Sequence, residues 1–337
     1  MRQDNISTKH GKDIVIPPLK FRPILKNVLW GGSRIAQFKG IESESTNIGE
    51  SWEISGVRGK ETPVFGGEYD GYILSQLIDI FGAKLVGEAN FRHFGTLFPL
   101  LIKFIHAEKP LSLQVHPNDE FALRQHGDLG KTEMWYIIDA KPDSFILSGL
   151  TKRLTPEEYV RRVQNDTIMD IVSQHKSHTG DIFFIPSGRI HSIGAGNFIL
   201  EVQQTSDITY RIYDFNRKDA DGNLRELHTD LAKQVIDYNV YDHYVTNVGH
   251  NMKGLTNLLR CNYFDVKRLI IDQNTYTLNI NDKDSFMIIV CIDGNADIVD
   301  SNGYRVSLEQ GETVLIPAAT KNCRLTGSAT LITTTTL

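Results

Sequence analysis

Short runs rich in β-branched and aromatic residues recur along the chain, each cut off by Gly, Pro, Asn or Asp: FRPILKNVLWGG, ESWEISGV, LSLQVHP, TEMWYIIDA, SFILSGL, GDIFFIPSG and GNFILEVQQTSDITYRIYDF. Runs of this length and make-up predict strands, and their dominance predicts a mainly β protein. Three segments break the pattern with helix signals. The clearest, residues 155–174, opens with a Thr cap, a Pro at the first helical position and Glu in the first turn. The others are residues 75–94 and 229–237.

One strand pattern occurs twice. GDIFFIPSGRIHSIGAG, residues 180–196, is echoed in register by GETVLIPAATKNCRLTG, residues 311–327, so that Gly180 answers Gly311 and Pro186 answers Pro317. Each copy is a Gly-acidic turn feeding an apolar strand that stops at Ile-Pro, where the missing amide hydrogen ends the ladder. Two such units predict two β-barrels or jelly rolls of one kind with helical insertions, divided here at 1–248 and 249–337. The copies differ where chemistry would sit. His191 answers Asn322, and Glu133 has only Ser285 or Met287 opposite it, depending on how the turns align.

Polar residues are set into the strands of the first unit. Gln114 and His116 are two apart and share one strand face, whereas Leu113 and Val115 take the other. Glu133 opens the strand EMWYIIDA, and His191 follows the Pro turn of DIFFIPSG. In a closed barrel the four converge. Two neutral imidazoles, a carboxylate and an amide oxygen suit zinc with a position left for water or substrate, and cobalt, manganese or iron can use the same ligands.

GDIFFIPSGRIH matches the second cupin motif, a Gly and five residues before Pro-x-Gly-x-x-His, which many functions share. A wider set is more specific. FPLLIKFIHAEKPLSLQVHPND, GKTEMWYIID, IPSGRIHSIGAG and TSDITYRIYDFNR resemble type I mannose-6-phosphate isomerases in their short bacterial form, from LKNVLWGG to about Asp214. The resemblance implies one zinc ion per chain held by Gln114, His116, Glu133 and His191, the set already picked out by residue chemistry. It also implies interconversion of mannose 6-phosphate and fructose 6-phosphate by moving a proton between C1 and C2 through a cis-enediol(ate). By the same resemblance Arg211 stands where the family has an essential arginine, Asp207 where it has an acid, and Lys131 and Lys103 where it has lysines near substrate.

Lys131 also lies two residues before Glu133 on the same face of an extended segment, and Lys103 interrupts the apolar run LLIKFIHA. A lysine buried beside a metal and other cations is favoured in its neutral, proton-exchanging form. With the resemblance, the catalytic assignments are Arg211 and Lys131, with Lys103, Asp207 and Ser112 as substrate-binding; the group that takes the proton from carbon stays open among Lys131, Lys103, Asp207 and a metal-bound water. Arg211, Lys131, Lys109 and Ser112 are the donors considered for the phosphate. Trp30, Trp52 and Glu53 are assigned to packing. The remaining histidines are read as surface or structural, with His126 singled out because it lies in the loop between two ligand strands.

The net charge of −5, with both signs interspersed, provides no basic stripe for nucleic acid and no polybasic segment for a membrane. Residues 1–20 are polar, which points to the cytoplasm. Cys261, Cys291 and Cys323 are too widely spaced for a disulfide framework or a Cys-based zinc site and read as apolar thiols. Two rival functions use the same residues: an iron-dependent cupin oxygenase, and a non-catalytic sugar-binding bicupin. Gln114 in place of a first histidine, together with the lysines and Arg211, weighs against the first. Retention of all four donors weighs against the second. Oligomeric state is not legible.

Overall fold

The structure, a computed structural model, describes residues 15–218, 222–248, 252–280 and 283–337. The apolar runs are strands, and several are buried on both faces: Leu100–Ala107 and Asn197–Gln204 are buried along their whole length. Such strands need cover on both sides, and layering supplies it. Val245–Asn247, Asp181–Ile185, Glu133–Ala140, Asn197–Gln204, Leu100–Ala107, Ile48–Ser55 and Ile24–Gly32 form a seven-stranded antiparallel sheet in that order. A five-stranded antiparallel sheet, ordered Tyr210–Tyr213, Leu113–Val115, His191–Ile193, Phe145–Leu150 and Val172–Lys176, packs on one side of it. Trp135, Phe183 and Ile199 meet Ile146 and Ile193 there. Helices Pro156–Gln164 and Thr229–Val235 cover the outer face of the five-stranded sheet through Tyr159, Val163 and Ala232.

The other side of the seven-stranded sheet packs through Ile102, Phe104, Met134 and Leu200 on Phe264, Phe286, Ile288 and Leu315 of a third, eight-stranded sheet. Its main path runs Leu19–Lys20, Thr313–Ile316, Met287–Asp300, Asn322–Thr335, Asp265–Asp272 and Gly254–Arg260. Tyr276–Asn279 and Arg305–Glu309 pair onto it off this path. Leu19 and Lys20 pair with Leu315 and Val314, so an N-terminal strand crosses the division expected at residue 248. None of the three sheets closes into a ring among the described residues; the observed architecture is layered antiparallel β.

The repeat is visible as structure. Gly180 and Gly311 both take positive φ, 86° and 81°, ahead of strands that end at proline. Ile185 pairs with Glu133, and its counterpart Ile316 pairs with Met287. Met287, not Ser285, therefore stands in the place of Glu133. Likewise His191 pairs with Gln114, and Asn322 pairs with Asn279.

The helical segments depart from expectation where the backbone turns left-handed. The helix expected over 155–174 keeps its capping box of Thr155 and Glu158 but ends at Gln164. Asp166 follows at φ 55°, and residues Ile168–Ile171 and Val172–Lys176 form a 3-10 turn and a strand. Residues 75–94 are three short helices, Leu74–Phe81, Ala83–Val86 and Glu88–Phe94, broken at Gly82 and Gly87, whose φ values of 53° and 96° no helix accommodates. The helix expected over 229–237 spans Thr229–Val235. A helix not foreseen, Asp119–His126, starts at Asn118, whose side chain accepts from Phe121 N, and stops at left-handed Gly127. No described helix is long and apolar enough to cross a membrane. All three cysteines are free, Cys291 and Cys323 buried and Cys261 partly so.

Candidate metal centre

Three strand ends deliver the donors. Gln114 lies on Leu113–Val115 with His116 just beyond it, Glu133 opens Glu133–Ala140, and His191 opens His191–Ile193. Register sets Arg211, Gln114 and His191 in one row across the five-stranded sheet. Residues paired in register project from the same face. That face looks onto the seven-stranded sheet, since the His191 ring lies 5.4 Å from that of Trp135, and Trp135 shares its face with Glu133 two residues earlier. The turn leading to His191 is clamped by Gly188, whose N–H donates to His116 O at 2.9 Å. Gly188 sits at φ 87°, and an added Cβ would meet Val235 O at 2.9 Å, so both conformation and space call for glycine.

The ligand atoms of His116, Glu133 and His191 all lie within 4.8 Å of one another and all three residues are buried. The two Nε2 atoms are 3.1 Å apart, with Glu133 Oε2 3.6 Å from that of His116 and Oε1 3.3 Å from that of His191. The Gln114 amide reaches to 3.2 Å of His191 Nε2. A half-turn of the amide presents its oxygen there instead. His116 Nδ1 is 2.8 Å from Ile208 O and His191 Nδ1 is 2.8 Å from Arg189 O. These carbonyls require Nδ1–H, which turns both Nε2 lone pairs inward.

Burial, helped by the Lys131 charge, pushes both imidazoles down to about 4, so they are neutral at neutral pH. Burial pushes the Glu133 carboxyl up, but Lys131 and His116 outweigh it and hold Glu133 well below the usual range. The centre is thus an ionised carboxylate facing two lone pairs. No proton lies between the two nitrogens, and neither Glu133 oxygen has a well-directed hydrogen bond, although Lys131 Nζ approaches Oε2 to 2.7 Å. A buried carboxylate left this way is strongly unfavourable. A divalent cation beside it and the two Nε2 atoms would satisfy it, and the donor set fits zinc.

Lys131 is buried, and its Nζ also lies 3.2 Å from His116 Nε2. The segment bearing it is held from behind by a relay. Thr132 N donates to Gln204 Oε1 at 2.9 Å, Gln204 Nε2 to Asp119 Oδ1 at 2.9 Å, and Tyr263 OH to Asp119 Oδ2 at 2.8 Å. Tyr263, from beyond the division expected at residue 248, thus braces the strand that opens with Glu133.

Arg211 donates through Nη1 to Glu226 O at 2.8 Å, and its Nε has no partner among the described residues. Nearby, Arg217 and Arg225 both pair with Asp214. With Glu226 also near Arg211, three guanidiniums against two carboxylates leave positive charge in excess, a feature that a scan for single matching residues passes over.

Lys103 and Asp207 belong to an adjoining charged cluster. Burial would lower the Lys103 pKa, but Glu201 at 3.0 Å and Glu50 at 3.9 Å hold it well above the ordinary value. The neutral lysine favoured by burial alone is thus not found, because Lys103 is a fixed cation. Asp207 Oδ2 lies 2.5 Å from Lys60 and 4.0 Å from Lys26; burial raises its pKa, and these lysines with Lys103 more than reverse the effect. Lys26 and Lys103 flank the Trp52 ring at 3.5 and 4.9 Å. Trp52 and Trp30 are core residues, as expected, and Glu53 is buried against Lys39. Ser112 is buried and Lys109 exposed.

Glu201 was missed by sequence reasoning. It accepts from Trp135 Nε1 at 2.8 Å and pairs in register with Lys103. The signal was present: a lone carboxylate in FILEVQQ mirrors the lone lysine in LLIKFIHA. His126, placed on a helix, bonds Tyr210 OH at 2.6 Å and stands outside the donor group. Among the described residues no second His/Cys/Asp/Glu group has metal-holding geometry. His10 and His250 lie outside the described residues.

The chain matches known proteins over most of its length. Residues 19–143 match the family description "Phosphomannose isomerase type I, catalytic domain", and residues 254–336 match "Mannose-6-phosphate isomerase, cupin domain". The chain is 36% identical over 318 residues to the mannose-6-phosphate isomerase ManA of Bacillus subtilis (strain 168), covering 94% of this chain and 98% of that one. It is 32% identical over 310 residues to the probable mannose-6-phosphate isomerase GmuF of the same organism, covering 89% and 93%. A crystal structure of the mannose 6-phosphate isomerase from Bacillus subtilis superposes with a TM-score of 0.85 at 30% identity, covering 95% of this chain and 99% of that one. A putative mannosephosphate isomerase from Archaeoglobus fulgidus, at 19% identity and TM-score 0.78 with 96% and 99% covered, shares the fold.

Proposed function

The chain belongs to the type I mannose-6-phosphate isomerase family, and from that premise we propose that its buried centre binds one zinc ion per chain through Gln114, His116, Glu133 and His191. It is a mannose-6-phosphate isomerase, interconverting mannose 6-phosphate and fructose 6-phosphate. The oxygenase and the silent sugar-binding protein are left without support. The observation that carries the metal assignment is the pair of inward-facing Nε2 atoms 3.1 Å apart beside an ionised Glu133. When bound, zinc supplies Lewis-acid polarisation of the sugar carbonyl.

The chain's own residues do the rest. The reaction removes a proton from C2 of the aldose and returns one to C1, with negative charge building on the sugar oxygens in between. Lys131, fixed by Glu133 and by the Tyr263 relay, stands at the edge of the centre as the group that carries protons to and from the reacting sugar. Arg211, in the row of Gln114, offers its guanidinium to the developing oxyanion. Arg217 and Arg225 add positive charge on its far side, where a phosphate six carbons from the carbonyl end is drawn. Lys103, held charged by Glu201, and Asp207, holding Lys60 and Lys26, line the sugar's approach, with Ser112 beneath it.

At the level of architecture, the seven- and five-stranded sheets together make up the first cupin jelly roll, and the eight-stranded sheet, which borrows Leu19–Lys20 from the N-terminal part of the chain, the second; the division at residue 248 holds for the rest of the described strands. The second keeps the repeat but carries Met287, Asn279 and Asn322 where the first has Glu133, Gln114 and His191. A phosphorylated sugar does not cross a bilayer unaided, which supports a cytoplasmic location for an enzyme that acts on it.

The activity test is direct. Zinc-loaded protein incubated with mannose 6-phosphate is expected to form fructose 6-phosphate, to stop after exhaustive chelation, and to resume when zinc is returned. Turnover that survives verified removal of metal would contradict the assigned role.

A further inference from the structure

We propose that the mouth of the second jelly roll is a metal-free phosphate-binding site. The register fixes its position. In the first unit Glu201 pairs with Lys103 on one side and with Trp135, two residues after Glu133, on the other. In the second, Thr333 pairs with Lys267 on one side and with Ile289, two residues after Met287, on the other. Lys267 is therefore the counterpart of Lys103, and Thr333 that of Glu201.

The metal ligands are gone from this place, but the space and the lysine remain. A cavity of about 190 Å³ is lined by Lys267, Lys283, Thr333, Thr335, Asn279 and Met287, together with Asp265. That is room for several non-hydrogen atoms, since a water occupies about 30 Å³ of liquid.

Charge and hydrogen-bonding capacity select the ligand class. Asp265 Oδ2 lies 3.0 Å from Lys283 Nζ and 3.6 Å from Lys267 Nζ, so two ammonium groups share one carboxylate and positive charge remains over. The carboxylate that neutralises Lys103 in the first unit is a threonine here. The Thr333 and Thr335 side chains line this cavity and have no hydrogen-bond partner among the described residues, so both hydroxyls are open to a ligand. Ammonium, hydroxyl and amide donors around a small space fit a tetrahedral oxyanion. A metal cation would meet the surplus charge, and an apolar ligand would leave the hydroxyls unsatisfied. The phosphate is either the free ion or the phosphoryl end of a sugar phosphate.

Equilibrium dialysis of the zinc-loaded full chain against radiolabelled inorganic phosphate tests this. Lys267→Met is expected to bind one phosphate fewer per chain than the wild type while converting mannose 6-phosphate at the wild-type rate in phosphate-free buffer. Asp265 keeps Lys283 in that variant, so no carboxylate is stranded. Thr333→Val, nearly isosteric, is expected to weaken the same site about tenfold, the effect of losing a hydrogen bond to a charged group. Competition with fructose 6-phosphate assigns the source: displacement from the Lys267-dependent site identifies a sugar phosphate, and resistance identifies the free ion. If both variants stay folded and active and bind as much phosphate as the wild type, with the same affinity, the site does not exist.

Discussion

His191→Ala is expected to purify without zinc and without isomerase activity. The imidazole is fully buried, anchored through Nδ1 to Arg189 O, and placed by register opposite Gln114. Losing an outer-shell partner typically costs about 10–100-fold in metal affinity, and loss of a direct ligand exceeds that. The remaining Glu133 and His116 then sit in the same dry pocket with one charge partner, Lys131. His191→Gln, which keeps more volume, separates loss of the ligand from collapse of the pocket. Metal content by mass spectrometry and turnover by fructose 6-phosphate formation are expected to fall together in both variants, with circular dichroism showing folded protein. A zinc-replete, active His191→Ala protein would remove His191 from the centre.

Arg211→Ala is expected to behave in the opposite way on one axis and the same way on the other: zinc content unchanged, turnover reduced by about 10²–10³-fold, the usual effect of deleting one donor to a developing oxyanion. The guanidinium touches none of the four ligands; its fixed contact is with Glu226 O. Arg211→Lys keeps the charge but loses the planar fork, and is expected to recover only part of the rate. Full activity in Arg211→Ala would withdraw the catalytic assignment. Loss of zinc would make the residue structural, acting through Gln114 in the adjacent strand.

Much of the centre was legible because strand alternation is strict. Gln114 and His116, two apart, had to share a face, and a carboxylate at the start of EMWYIIDA had to be bound or costly. The repeat was legible for a similar reason, since Gly180 and Gly311 each need a positive φ ahead of the strand. Its exact pairing was not, because a one-residue choice between Ser285 and Met287 is settled only by the partner strand, Ile316. Helix lengths failed at Gly82, Gly87 and Asp166, where left-handed backbone ends a helix that side-chain periodicity would continue. Glu201 was hidden by the same logic that exposed Glu133. Its significance lies in the lysine across from it, and cross-strand neighbours are not neighbours in sequence. The Tyr263 relay and the shared pairing of Leu19 with Leu315 belong to that category too: they depend on how two units of the chain meet.

The most direct test of the central claim is anomalous diffraction at the zinc absorption edge from crystals grown with zinc. One peak per chain is expected, enclosed by Gln114 Oε1, His116 Nε2, a Glu133 carboxylate oxygen and His191 Nε2 at about 2.0–2.2 Å, the usual zinc–ligand range. Absence of a peak there from protein that is active and carries stoichiometric zinc, or a peak bound by other residues, would contradict it.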